Sequence, residues 1–267
     1  MATTITTPRA APPEDREVAA AALATEIQAY FQEHADPAFV EKAELAWTLG
    51  EGYDPYGLPP GLLGSKRDEW LALHGDELGL DGFLDVGDLL LDSGKWESGL
   101  LAIDFVEHFA VDFNRETFRR VGRWLDGAVR NYIHCDTIAT RIVGPMLRMG
   151  IVSPDDLGEW RTAHDRFKRR AVPVAVRALM FGRKTRDYTP WLDFLRPMML
   201  EHDPVVQKVL GGLLCDAWRK QPAQVEAFLH EWKDLSPGLI IRQATRRMSP
   251  ETKAHFARIR ASSVQRP

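Results

Sequence analysis

Two shortages in the sequence exclude several classes of protein. Cys135 and Cys215 are the only cysteines among the 267 residues. Two cysteines are too few for a disulfide framework or a four-ligand zinc site, so we expect both to be reduced, buried thiols. Gly, Pro or a charged residue interrupts every apolar run before it reaches the ~18 residues that a membrane-spanning helix requires. We therefore expect no association with a membrane.

Targeting and cofactor motifs are also lacking. Residues 1–13, MATTITTPRAAPP, contain no apolar segment like that of a secretory signal peptide. We interpret them as the disordered tail of a cytoplasmic protein, associated with the nucleoid if the source is bacterial. No phosphate-binding loop, dinucleotide fingerprint, Ser-His-Asp arrangement or metal-ligand spacing occurs, so the sequence gives no reason to expect a metal or another cofactor.

Helical periodicity dominates the rest of the sequence, and no sustained alternation typical of β-strands occurs. Gly50 to Gly64, GEGYDPYGLPPGLLG, is expected to be irregular because glycine and proline interrupt regular structure. The apolar pattern predicts helices over residues 14–34, 38–48, 66–74, 83–91, 95–110, 114–128, 133–149, 154–162, 165–181, 188–201, 203–220, 222–233, 237–248 and 250–260.

Two of these helices match one another at a spacing of 38 residues, each preceded by a His-Asp pair at 164–165 or 202–203. This period is typical of stacked helical repeats, which bury their apolar faces on their neighbours. We predict an all-α, HEAT-like solenoid with a concave basic groove, and a plain helical bundle is the alternative. Residues 14–82, the N-terminal helices and the Gly/Pro-rich loop, are expected to form a single domain with the repeats at 83–267. We expect a monomer.

Charge is distributed unevenly along the chain, although the net charge is only −4. Residues 1–110 contain 6 Lys/Arg and 21 Asp/Glu, whereas residues 111–267 contain 28 and 17. The basic part fits a protein that binds phosphate groups. A solvated helical surface explains it equally well, so charge alone leaves both interpretations open.

Five segments resemble, in order and spacing, those of the DNA alkylation repair family, and in particular the AlkD-like HEAT-repeat DNA glycosylases. The likeness covers about residues 83–248 and, more loosely, YGLPP at 56–60. The segments are LLLDSGKWESGLLAIDF (89–105), YIHCDTIA (132–139), WRTAHDRFKRRAVPVAV (160–176), VQKVLGGLLCDAWRKQPAQVEAFL (206–229) and LSPGLIIRQATRR (235–247).

The resemblance implies excision of cationic N3- or N7-alkylated purines from duplex DNA without base flipping, with Asp136 as the catalytic carboxylate. A cationic base leaves as a neutral molecule and needs no general acid. One carboxylate is therefore enough to stabilise the oxocarbenium-like sugar and to orient water. The alternative is that Asp136 caps a helix beginning near Thr137.

The same resemblance gives roles to further residues. Tyr132 stands where the family has a tryptophan, four residues before Asp136, and its ring either contacts the sugar and the cationic base or packs in the core. Arg170 matches an arginine that contacts the DNA backbone beside the lesion. The other candidate phosphate contacts are Lys168, Arg169, Lys208, Arg219, Arg242, Arg246 and Arg247.

The main departure from the family pattern is at Gly211 and Gly212. The family's glycosylases carry a second active-site tryptophan at the position of Gly212. Two glycines inside a helix admit either a bulky ligand or a neighbouring backbone, so the substrate pocket either accepts larger adducts or has lost activity on simple methylated bases. Loss of activity would leave a catalytically silent protein that recognises damaged or branched DNA. A HEAT-type protein-interaction scaffold is a third function that fits the sequence.

Overall fold

The computed structural model of the protein describes residues 13–46, 52–182 and 186–257. Every regular element in these ranges is helical, and none of their helices combines the length and the apolar character needed to cross a membrane. The α-helices are α1 (Pro13–Glu33), α2 (Pro37–Ala46), α3 (Leu62–Asp92), α4 (Trp96–His108), α5 (Arg115–Arg123), α6 (Tyr132–Ile138), α7 (Gly144–Met149), α8 (Arg166–Met180), α9 (Thr189–Leu195), α10 (Pro204–Trp218), α11 (Pro222–Trp232), α12 (Gly238–Ala244) and α13 (Pro250–Ala254).

Short helical turns of other types connect several of these helices. Four are 3₁₀ turns, Ala110–Asp112, Pro154–Leu157, Glu159–Thr162 and Arg196–Leu200. Two have π-type hydrogen bonding, Trp124–Ala128, in which Asp126 and Gly127 leave the helical conformation, and Ala139–Val143, which is helical throughout. Turns of the π type are rare and occur frequently at functional sites, and these two lie on either side of α6.

The predicted all-α fold is confirmed, but the helix predicted over 154–162 is two short 3₁₀ turns, and the boundaries of other helices differ. Residues 52–61 of the predicted irregular stretch are not helical, but α3 begins within that stretch, at Leu62. The helices predicted at 66–74 and 83–91 are parts of α3, which continues through a kink at Gly79 with φ 55° and ψ −166°. Glycine adopts such a conformation without steric cost, so α3 bends there without ending. The predicted tail lies outside the described residues except for Pro13, the first residue of α1.

The chain divides into two compact units, Met1–Met146 and Leu147–Pro267, and the single domain expected from the sequence stays a prediction. In the first unit, α3 packs against α1 and α4, and α4 packs against α6. The rings of Phe31, Trp70, Phe105 and Phe83 contact one another in that order and are fully buried. Their burial on α1, α3 and α4 makes α4 a fixed support for α6.

In the second unit, α10 packs against α8, α11 and α12. The helices α8 and α10 begin in the same way, because Asp165 accepts a hydrogen bond from the Phe167 N–H at 2.6 Å and Asp203 accepts one from the Val205 N–H at 2.8 Å. Such caps satisfy backbone donors that the first turn leaves unpaired. The two caps are related by the predicted spacing, and the helical-repeat fold is confirmed.

Candidate active site

Asp136 lies inside a short helix and not at its start. The helix α6 begins at Tyr132, and the side chain of Asn131 caps it by accepting a hydrogen bond from the Ile133 N–H at 2.7 Å. Asp136 is an interior residue of this helix, so the interpretation of Asp136 as the cap of a helix near Thr137 is wrong. The half-buried Asp136 therefore does not serve to start the helix.

Tyr132 and Asp136 lie on one face of α6. They are one helical turn apart, as the four-residue spacing predicts, and both are half-buried. His134 and Ile138, which are also four residues apart, are buried on a different face, and Cys135 is buried too. The helix thus carries an aromatic residue and a carboxylate on one face, while its buried residues attach it to the core.

His134 attaches α6 to the first turn of α4. Its Nε2–H donates to the Trp96 carbonyl oxygen at 3.0 Å, and its ring stacks on the Trp96 indole with the ring centroids 4.8 Å apart. Gly99 leaves room for the imidazole, because a Cβ there would lie 2.5 Å from His134 Cε1. Burial lowers the pKa of His134 from its ordinary value of 6.5 to about 4 and outweighs the opposing effect of the bond to Trp96. The imidazole is therefore neutral at neutral pH.

The π-helical turn Ala139–Val143 joins α6 to α7 without a gap, so the helix predicted over 133–149 is one helical run that contains a π turn. Within this turn, Arg141 pairs with Asp104 of α4 at 2.7 Å and also with Glu107. The hydrogen bond to Glu107, followed by the charge of Asp104, raises the pKa of Arg141 despite its partial burial. The helix α4 therefore makes polar contacts with the chain on both sides of Asp136.

A buried carboxylate fastens the irregular loop to the start of α4. Glu97 accepts hydrogen bonds from the backbone N–H groups of Tyr56, Gly57 and Leu58, at 2.8, 2.9 and 3.2 Å. The rings of Tyr53 and Trp96 also meet, with centroids 5.0 Å apart. Glu97 gives only a weak signal in the sequence, that of an acidic residue in the first turn of a predicted helix.

In the second unit, Arg169 is buried between the starts of α8 and α10. Its guanidinium donates to both carboxylate oxygens of Glu201, at 2.8 and 3.2 Å, and to the carbonyl oxygens of Ala163 and His164. Burial by itself raises the pKa of Glu201, but the hydrogen bonds from Arg169 and from the Asp203 N–H hold that pKa below its ordinary value. Arg169 thus has a structural role, and its contact with DNA stays a prediction.

The neighbours of Arg169 differ from it and from each other. Arg170 is buried, and its Nη1 donates to the Val205 carbonyl oxygen at 2.5 Å. Lys168 is half-buried, with its Nζ 5.6 Å from the centroid of the Trp160 ring. The bond to Val205 restricts the guanidinium of Arg170, and a restricted guanidinium is suited to orienting a phosphate group.

The remaining predicted phosphate contacts are exposed, and they lie on α10 and α12 or directly after these helices: Lys208, Arg219, Arg242, Arg246 and Arg247. Asp216 of α10 accepts hydrogen bonds from Arg177 at 2.7 Å and from Arg247 at 3.2 Å. No sequence motif singles out Asp216 or Arg177. This carboxylate holds Arg177 of α8 near Arg247, which follows α12.

The adjacent glycines of α10 have different surroundings. A Cβ on Gly211 would lie 2.6 Å from Gln243 Cβ and 2.7 Å from the Ile240 carbonyl oxygen, so Gly211 permits close packing against α12. A Cβ on Gly212 would meet no atom of the described residues within 4 Å. Gly212 follows Lys208 by four residues and therefore shares its helical face. Gly211 thus admits a neighbouring backbone, whereas Gly212 borders open space.

The predicted site residues are divided between the two units. Tyr132 and Asp136 belong to the first unit, and Arg170, the predicted phosphate contacts and both glycines belong to the second. The first unit contains 12 Lys/Arg and 25 Asp/Glu, and the second contains 22 and 13. The carboxylate therefore comes from the acidic unit and the cations from the basic one. Across the described ranges, no cluster of three or more His, Cys, Asp or Glu side chains could hold a metal ion.

Comparison with known proteins shows a family match. The sequence profile of a family described as DNA alkylation repair enzyme matches residues 16–248. No curated protein matches the chain. The family match begins in α1, ends shortly after α12 and includes every predicted site residue.

Proposed function

The chain belongs to the family of DNA alkylation repair enzymes, and we propose that it is a DNA glycosylase for cationic N3- or N7-alkylated purines in duplex DNA. A role in DNA repair, with DNA as substrate or partner, follows from the family. The proposed reaction is hydrolysis of the N-glycosidic bond without base flipping. It needs no redox cofactor, because hydrolysis moves no electrons between substrate and protein.

The charge of the substrate explains why one carboxylate is enough. A purine alkylated at N3 or N7 is positively charged, so it leaves as a neutral molecule without a proton from the enzyme. Ordinary glycosidases use a second carboxyl group to protonate the leaving oxygen. In the proposed reaction, Asp136 stabilises the oxocarbenium-like sugar and orients the water that attacks C1′. Because the attack is on the sugar, the base need not leave the stack.

The position of Asp136 within α6 is the observation that carries the proposal. Asn131 caps the helix, so the helix start does not account for Asp136. Tyr132, one turn earlier, adds an aromatic ring, whose attraction for a cation amounts to about 0.5–2 kcal/mol. A carboxylate and an aromatic ring on one helical face are suited to a substrate whose sugar and base both carry positive charge in the transition state.

The second unit supplies the phosphate contacts in this proposal. The guanidinium of Arg170 binds a phosphate beside the lesion, and Lys168 with the exposed cations of α10 and α12 neutralises further phosphates. Each contact releases counterions, so DNA affinity should fall as the salt concentration rises. A protein-interaction scaffold would show no such salt-dependent affinity for DNA.

The open space at Gly212 favours a second candidate function, a catalytically silent protein that recognises damaged or branched DNA. The family's second active-site aromatic ring is missing at this position. Without that ring, a small methylated base would have fewer contacts, although a bulky adduct would have more room. Excision of bulky adducts but not of small ones would therefore indicate an altered glycosylase, and excision of neither would indicate a silent relative.

Incubation of the purified protein with defined duplexes tests these functions. Each duplex carries one N3-alkyladenine or one N7-alkylguanine, with a small or a bulky alkyl group, and the released base and the abasic site are measured. We expect release from at least one class of lesion. The absence of release, together with tight and salt-sensitive binding, would establish the silent DNA-binding protein instead.

A further inference from the structure

His134 occupies a buried position of α6 at which an apolar side chain would pack without needing a hydrogen bond. Only 4% of the residue is exposed. Its Nε2 lies 3.0 Å from the Trp96 carbonyl oxygen, and because a carbonyl group cannot donate, Nε2 must carry the proton. This hydrogen bond is directional, so it limits how far α6 can rotate or slide on α4. Apolar packing alone would limit these movements less strictly.

Trp96 and Gly99 form the site on α4 that receives the imidazole of His134. The His134 and Trp96 rings stack with an interplanar angle of 28°. A Cβ on Gly99 would lie 2.5, 2.8 and 3.0 Å from three atoms of the His134 ring, so the ring lies directly on the backbone of α4. Trp96 is itself held by the loop, since its N–H donates to the Asp54 carbonyl oxygen at 2.9 Å. Trp96, which supports His134, is therefore held both by its own helix α4 and by the loop that contains Asp54.

The polar contact on the other side of Asp136 lies beyond a change in the type of helix. Arg141, which pairs with Asp104 and Glu107, belongs to the π-helical turn Ala139–Val143. A π-helical turn differs from the α-helix in its hydrogen-bond spacing, so Arg141 does not keep the α-helical register of Asp136. His134 lies two residues from Asp136 in the same uninterrupted helix.

We propose that His134 is the positioning residue for Asp136, because its contacts with Trp96 and Gly99 set the place of the carboxylate. The inference rests on the proposed function, because the expected effect on the rate of base excision arises from the distance between this carboxylate and the sugar. An error of about 1 Å in such a position can lower a reaction rate by up to ~100-fold. His134 itself touches no reacting atom in this scheme.

Three full-length variants test the inference. His134→Leu removes the donor and keeps a side chain of similar size, whereas His134→Gln keeps an amide N–H that can reach the Trp96 carbonyl oxygen. Arg141→Met is the control, because it removes the ion pairs beyond the π turn. Circular dichroism and urea unfolding establish that each variant is folded.

Two functional quantities are then measured for each folded variant. The first is the single-turnover rate of base excision. The second is the preference for a duplex that contains a cationic pyrrolidine mimic of an abasic site over a duplex that contains neutral tetrahydrofuran. This preference reports the placement of the carboxylate even when no bond is cleaved.

His134→Leu should lower the excision rate about tenfold or more and reduce the preference for pyrrolidine, while its affinity for the tetrahydrofuran duplex stays within about twofold of the wild-type value. His134→Gln should recover most of both quantities, and Arg141→Met should lower stability alone. In an Asp136→Asn background, His134→Leu should cause no further loss of rate. A folded His134→Leu protein with the wild-type rate and preference would overturn the inference.

A separate measurement distinguishes failure of this inference from failure of the proposed function. If the wild-type protein neither excises a base nor prefers pyrrolidine, the glycosylase proposal fails. The position of Asp136 is then followed by NMR of ¹³C-labelled aspartate carboxyl groups, with the Asp136 signal assigned from its absence in Asp136→Asn. This signal should shift in His134→Leu and not in Arg141→Met. An unchanged signal in His134→Leu would contradict the positioning role.

Discussion

Arg169 and Gln207 make the same hydrogen bond one repeat apart. Arg169 Nη1 donates to the Ala163 carbonyl oxygen and Gln207 Nε2 donates to the Glu201 carbonyl oxygen, in both cases at 2.8 Å and to a residue six positions earlier. Arg169 differs in having further donors, which bind the carboxylate of Glu201. The start of α8 is thereby joined to the start of α10 as well as to its own preceding turn.

Replacement of Arg169 should therefore lower the stability of the protein more than replacement of an exposed Lys or Arg does. Arg169→Ala leaves Glu201 buried without its partner, and we expect a loss of about 3–5 kcal/mol in the free energy of unfolding. Urea unfolding measures this loss. Arg242→Ala is the matched control, because Arg242 is exposed and its replacement should change stability by no more than about 0.5 kcal/mol.

DNA affinity should show the opposite order, with a larger effect from Arg242→Ala than from Arg169→Ala. Arg242→Ala should weaken binding and reduce the slope of log affinity against log salt by about one. If Arg169→Ala instead kept its stability and lost DNA affinity, Arg169 would be a phosphate contact and its structural role would be contradicted.

Alanine at Gly211 and at Gly212 should have opposite effects on stability. Gly211→Ala places a methyl group against the backbone of α12, and we expect a destabilisation of about 1–3 kcal/mol. Gly212→Ala meets open space, so the better helix propensity of alanine should stabilise the protein by about 0.5–1 kcal/mol. Thermal or urea unfolding compares the two. Equal effects would show that the two glycines have similar surroundings.

Glu97→Gln should loosen the loop at residues 56–58. The amide group of glutamine offers one oxygen and turns an N–H₂ group towards a backbone donor, so part of the carboxylate's hydrogen bonding is lost. We expect a destabilisation of about 1–3 kcal/mol and faster proteolysis within residues 52–61. Asp92→Asn, which changes an exposed acid, is the control. Unchanged proteolysis in Glu97→Gln would show that other contacts hold the loop.

His134 should make the protein less stable as the pH falls from 6.5 towards 4. In the unfolded chain it gains a proton near pH 6.5, whereas burial in the folded protein lowers its pKa to about 4. Protons therefore favour the unfolded state in this interval, and the loss is complete once the pH is below 4. From these pKa values, His134 should cost about 2 kcal/mol at pH 5 relative to pH 7.5.

Urea unfolding at pH 7.5 and pH 5 checks this dependence, with His134→Leu as the reference because it lacks the titrating group. The wild-type protein should lose about 2 kcal/mol more than His134→Leu between the two pH values. Equal losses in the two proteins would mean that burial does not lower the pKa of His134 in the folded protein.

Local features of the sequence were sufficient to predict most of the helices, the greater part of the irregular loop and the helical repeat. Gly79 shows the limit of such reasoning, because a glycine can bend a helix without ending it, and the apolar pattern on its two sides predicts two helices instead of one. The helix predicted over 133–149 begins within one residue of α6 and contains Asp136, whereas the alternative placed Asp136 at a helix start near Thr137. Asn131 is a favoured N-cap residue, so the sequence also contains the signal that decides between the two.

The basic residues at the start of α8 show what the sequence could not reveal. Lys168, Arg169 and Arg170 are consecutive and chemically similar, but successive residues of a helix point in different directions. The partner of Arg169 is Glu201, 32 residues away, and nothing local identifies it. Burial and exposure among these cations therefore depend on tertiary packing.

The most direct test of the proposed chemistry is the excision rate of Asp136→Asn on the lesion that the wild-type protein releases fastest. The carboxamide has nearly the same size but no charge, so it should stabilise the cationic sugar poorly. We expect the single-turnover rate to fall at least ~100-fold, while affinity for the same duplex stays within about twofold of the wild-type value. Excision by Asp136→Asn at the wild-type rate would remove Asp136 from the mechanism.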